Sequence, residues 1–198
     1  MYFVKILFCW FATEVQHTTG DLFWKATKSK TSDPSLIPLF VTQHLKAGTK
    51  VEDVQQLARV SLFNETHESY SGYFTVNETM ESNLFFWFFK SVHVSKERPV
   101  VLWLQGGPGD TFMTTFFGGN GPYHFTPDGP KLTDDDKAWT GSFNMLYIDN
   151  PVGTGYSFTS HYKYYCKTLN EAAENLYAAL QQFFSLFPEF AANEFFLA

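Results

Sequence analysis

The chain has 198 residues and a formal charge of −6, with 44% hydrophobic, 19% aromatic and only 17% charged residues. This length suits one domain with a substantial core, and the 23 phenylalanines imply elements built to be buried. An acidic balance excludes the basic field that a nucleic-acid partner needs, and no apolar run approaches the roughly 20 residues of a membrane span.

From the N-terminus, Lys5 followed by the apolar run Ile6 to Phe11 fits a short secretory signal over residues 1–13. A buried strand is the alternative. The sequons at Asn64 and Asn77 (Asn64-Glu65-Thr66, Asn77-Glu78-Thr79) independently suit a secreted or endolysosomal chain, which favours the signal. Residues 14–34 are polar and rich in Thr, Ser and Lys, so a poorly ordered leader is expected there, with the folded part spanning 35–198. Of the two cysteines, Cys9 would leave with the signal, and Cys166 would remain as a free thiol or pair outside this sequence.

Leu36 to Lys46 and Val51 to Leu62 read as short helices. From Ser71 the pattern turns to β: Gly72 to Val76 alternates, and Leu84 to Phe89, Val100 to Leu104 and Met145 to Asp149 are apolar runs. Runs apolar on both faces belong to strands covered from both sides, which predicts an α/β sheet sandwiched between helices. The strongest helix signal is Leu169 to Phe187. Leu169, Ala173, Leu176, Leu180, Phe183 and Phe187 form one stripe, Thr168 and Glu171 a capping box, and Pro188 a stop. Glu194 to Ala198 then reads as a further buried strand, completing a βαβ unit.

Two motifs follow strands. Gln105-Gly106-Gly107-Pro108-Gly109 places a glycine turn directly after the run Val100 to Leu104. Absent side chains there let a substrate carbonyl reach the backbone, and the Gly107 N–H becomes the candidate oxyanion donor for acyl transfer. The second motif, Asp149-Asn150-Pro151-Val152-Gly153-Thr154-Gly155-Tyr156-Ser157-Phe158, lacks the third glycine and the immediate helix of a dinucleotide site. Ser157 is a poor nucleophile candidate, since Thr159 stands where an elbow needs a small residue and His161 is too local to serve as a separately posed base. A rigid structural loop is the reading kept. No Gly-x-Ser-x-Gly elbow occurs, no metal-ligand spacing appears, no cofactor is expected, and His124 reads as a turn residue.

The segments SGYFTVNETMESNLFFWFF, RPVVLWLQGGPG, GNGPY, MLYIDNPVGTGYSF and FFSLFPEF, in this order, resemble the serine carboxypeptidases, and among them the vitellogenic-like branch. The resemblance is strong over Ser71 to Ala198 and implies the N-terminal part of an α/β-hydrolase domain. It implies that Gln105 and the Gly106 N–H bind the C-terminal carboxylate of a peptide or protein substrate, and that Gly107 supplies one oxyanion donor. The family's elbow, Asp and His would lie beyond this sequence, so proteolysis through a Ser–His–Asp acyl-enzyme is implied for the family and not for these residues alone. A non-catalytic secreted binding or decoy module is the competing expectation. In the family a neutral amide shares a proton with a glutamic acid and so accepts a carboxylate, best at acidic pH. One departure is visible: Asp110, Thr111 and Phe112 stand where the family continues with Gly or Cys and two serines. An acidic side chain beside an oxyanion site opposes the charge that develops there.

Overall fold

The computed structural model describes residues 37–60, 67–107, 109–133 and 137–198. The expected signal, the leader and the Asn64 sequon lie outside the described residues. Two short helices, α1 (Val41–Lys46) and α2 (Val51–Ala58), lead into strands β1 (Arg59–Val60), β2 (Ser69–Asn77), β3 (Ser82–Phe89) and β4 (Val100–Trp103). A helical turn, α3 (Met113–Thr115), continues as a π-helical turn over Phe116–Asn120. After it come β5 (Tyr123–Thr126), β6 (Gly129–Leu132), β7 (Asn144–Ile148), helix α4 (Leu169–Leu186) and β8 (Phe195–Leu197).

The main sheet has six strands in the order β1-β2-β3-β7-β4-β8. Its first half is antiparallel, whereas β7 and β8 both run parallel to β4. The period-two alternation of β3 explains the two cores. Leu84, Phe86 and Phe88 point into one, and Phe85, Trp87 and Phe89 into the other. The first core is covered by helices, through Val41 and Val54 on one side and Ala179, Phe183 and Leu186 of α4 on the other. Phe88 meets Phe183 and Phe187 with ring centroids 4.9 Å from each. The second core is covered differently from the expected helical layer. Phe112, Met113 and Phe116 of the short helical stretch, Tyr123 of the β5–β6 hairpin and Phe158 of a loop close it.

Three further expectations are corrected. His124 lies within strand β5, in register with Lys131, and not in a turn. Of the predicted apolar stripe of α4, Phe183 and Phe187 are buried and Leu176 and Leu180 partly buried, whereas Ala173 is exposed and Leu169 is 89% exposed. Periodicity alone overstates the burial of the first turn. Strand β8 is likewise an exposed edge, with Phe195, Phe196 and Leu197 at 39%, 50% and 64% exposure. The cap of α4 forms: Thr168 Oγ1 accepts from Glu171 N at 3.2 Å, and the returning Glu171 carboxylate accepts from Lys167 N at 2.7 Å, one residue earlier than the usual box.

Because β4 and β7 are parallel neighbours, paired at Trp103 and Tyr147, the loops that follow them leave the sheet at the same end. Ligands of open α/β sheets bind in the crevice outside the carboxyl ends of the strands.

Candidate active site

The two loops are held together by one buried carboxylate. Asp149, 1% exposed, directly follows β7. Its Oδ1 accepts from Thr111 Oγ1 at 2.8 Å and Phe112 N at 3.0 Å, both in the loop after β4. Its Oδ2 accepts from Tyr156 N at 2.8 Å in its own loop. Burial pushes the Asp149 carboxyl up to about 6, against the three hydrogen bonds, which favour the charged form. Gly155 makes this approach possible: at φ +53°, a Cβ there would lie 2.1 Å from Asp149 Oδ2. The role of Asp149 escapes a motif search, yet a carboxylate placed immediately after a strand buried throughout must itself be buried and must find donors.

On this brace sits the glycine turn. Gly107 has φ +127°, a conformation natural only to glycine, and both Gly106 and Gly107 are exposed. Neither amide donates to another described residue, so both N–H groups remain available to a ligand. The Asp110 carboxylate folds back over the turn, its Cγ and Oδ2 each 3.1 Å from where a Gly107 Cβ would stand. Asp110 itself is exposed and, among the described residues, takes part in no ion pair.

Gln105, partly buried at the entrance to the turn, has its amide oriented by two donors. Trp103 Nε1 donates to Gln105 Oε1 at 3.1 Å, and Thr115 Oγ1 donates to the same oxygen at 2.6 Å. An indole N–H can only donate, so the oxygen must face it. The Gln105 NH₂ group is thereby turned away, with no described acceptor. Gln105, Gly106 and Gly107, the candidates named from the motif, lie consecutively where the chain leaves β4. Sequence reasoning misses Thr115, which is ten positions from Gln105 and reaches it only because α3 folds back over the end of β4.

The other singled-out residues lie elsewhere. Ser157 is 3% exposed, donates to the Asp149 carbonyl at 2.5 Å and accepts from Phe85 N at 2.8 Å, so it pins the loop to β3 and offers no free hydroxyl. His161 Nδ1 caps a short 3₁₀ turn by accepting from Lys163 N. Asn77 ends β2, partly exposed, with its Oδ1 accepting from Met80 N at 3.0 Å. Cys166 is partly buried, with Asn175 Nδ2 donating to its sulfur at 3.2 Å. Among the described residues no group of His, Cys, Asp and Glu could hold a metal ion, and no helix is long and apolar enough to cross a membrane.

The serine carboxypeptidase family model (Peptidase_S10) matches residues 61–198. The chain is 48% identical over 161 residues to a probable serine carboxypeptidase CPVL of Mus musculus, covering 81% of this chain and 33% of that protein. It is 43% identical over 162 residues to a venom serine carboxypeptidase of Apis mellifera, covering 81% of this chain and 34% of that one. Against a vitellogenic carboxypeptidase of Aedes aegypti the identity is 39% over 162 residues, with the same coverage of 81% and 34%. Among solved structures it is similar to KEX1(Δ)P, a prohormone-processing carboxypeptidase from Saccharomyces cerevisiae. That match has a TM-score of 0.63 at 21% identity and covers 72% of this chain and 35% of that one. The chain thus spans about a third of the length of the curated relatives it matches.

Proposed function

The chain belongs to the serine carboxypeptidase family and carries part of an α/β-hydrolase sheet, and from that premise we propose that it supplies the carboxylate-recognition half of a secreted or endolysosomal serine-type carboxypeptidase. The observation that carries this reading is the oriented amide of Gln105. With its oxygen occupied by Trp103 and Thr115, the amide presents only N–H groups, and the Gly106 and Gly107 amides lie beside it. Donors without a positive charge suit a terminal carboxylate, which accepts several hydrogen bonds at once.

In this arrangement Gln105 and Gly106 N–H hold the C-terminal carboxylate of a peptide. The preceding carbonyl then lies over the turn, where Gly107 N–H faces the oxygen that becomes an anion as a nucleophile attacks. The serine, its histidine and its aspartate would come from sequence outside the described residues, among which none is posed for that work. Ser157 in particular is committed to two structural hydrogen bonds.

The test uses the protein produced from its native coding sequence. It should hydrolyse an N-blocked dipeptide with a free C-terminal carboxylate and take up a fluorophosphonate on a serine other than Ser157. Failure to cleave any free-acid peptide, or labelling confined to Ser157, would refute the reading.

A further inference from the structure

The charge inventory of the site is lopsided. From Pro99 through Tyr123, and from Asn144 through Ser160, the sequence contains no Lys, Arg or His, and its acidic residues in those spans are Asp110 and Asp149. Asp149 is buried within the brace. Asp110 is exposed, without an ion pair among the described residues, and its carboxylate lies against Gly107. His124 and Lys137 line a different cavity, bordered by Phe117, Gly118 and Gly119. Among the described residues, the two loops that would receive an anionic chain terminus therefore carry one exposed negative charge and no positive one.

We propose that Asp110 selects substrates whose released C-terminal residue bears a cationic side chain, lysine or arginine. The inference rests on the carboxypeptidase reading above. The released residue spans from its own carboxylate at Gln105 and Gly106 to the scissile carbonyl at Gly107. Its side chain therefore starts over the turn whose exit carries Asp110. An ammonium or guanidinium group there pairs with Asp110 and offsets the repulsion between that carboxylate and the substrate terminus. A neutral side chain leaves the repulsion unrelieved, and an acidic one adds to it. The pairing is exposed to water, so its effect on selectivity is about three- to fivefold and weakens as salt is raised.

The experiment measures kcat/KM of the native full-length enzyme on N-blocked Phe-Lys, Phe-Leu, Phe-Glu and Lys-Phe dipeptides, beside the variants Asp110→Asn and Asp110→Gly. The expected order is Lys above Leu above Glu at the released position, with the Lys-to-Leu ratio falling about three- to fivefold in both variants and in high salt. A ratio unchanged by both substitutions overturns the proposal, as does an effect confined to Lys-Phe. If Phe-Leu is cleaved without any Lys preference, this inference alone falls. If no dipeptide is cleaved, the carboxypeptidase reading falls and takes this one with it.

Discussion

Replacing Asp149 by asparagine tests whether a buried carboxylate is the brace between the two site loops, and the pH dependence makes the test sharp. The folded-state carboxyl titrates at about 6 and the unfolded one near 3.8, a difference of about 3 kcal/mol between the two protonation states. Below pH 3.8 both states are protonated and no penalty exists. Between pH 3.8 and 6 the unfolded chain ionises while the folded one keeps its proton, so stability falls by about that amount and levels off above 6. Asparagine can keep the bonds from Thr111 and Phe112 through Oδ1, but it turns an NH₂ group against the Tyr156 N–H, which costs about 1–3 kcal/mol. At pH 4 Asp149→Asn should therefore be less stable than the native chain by about 1–3 kcal/mol, and by pH 7 the difference should have moved about 2–3 kcal/mol in the variant's favour, closing or reversing. Urea unfolding followed by tryptophan fluorescence from pH 3.5 to 7.5 measures both curves. Parallel curves would refute the assignment of a buried, titrating Asp149.

Gly155→Ala should cost at least about 3 kcal/mol, from its positive φ and the overlap with Asp149 Oδ2, and thermal unfolding will show it. Phe183→Ala, at a fully buried position against Phe88, should cost about 3–5 kcal/mol, whereas Leu169→Ser, on the exposed first turn of α4, should change stability by less than about 0.5 kcal/mol. Thr115→Val removes one donor from Gln105 Oε1 and should raise KM for free-acid peptides about fivefold with kcat little changed, while Thr115→Ser restores it. Equal losses in the valine and serine variants would mean that Thr115 acts through packing.

The strands that build the site were legible in the sequence because β3, β4 and β7 are apolar on both faces, and such runs have few other homes. The order β7-β4-β8 was not legible beyond the βαβ unit, since pairing depends on which crossover lands beside which strand. The β5–β6 hairpin escaped notice because Pro130 and Lys131 break any alternation, and its register is set by the turn at Gly129, φ +111°. The stretch Phe116–Asn120 hid for a related reason: two adjacent glycines argue against a helix, and Phe116 and Phe112 hold it to the sheet by burial instead. Gln105, Gly106 and Gly107 could be read from the motif. The orientation of the Gln105 amide could not, because it depends on Thr115 arriving across a fold.

The selectivity of the protein produced from its native coding sequence for a peptide acid over the same peptide amidated at its C-terminus, in native protein and in Gln105→Leu, tests carboxylate recognition most directly. Leucine keeps nearly the same volume and removes only the donors and acceptor of the amide. The native protein should strongly prefer the acid, and that preference should fall at least about tenfold in the variant, carried mainly by KM for the acid. A preference left intact by Gln105→Leu would contradict it.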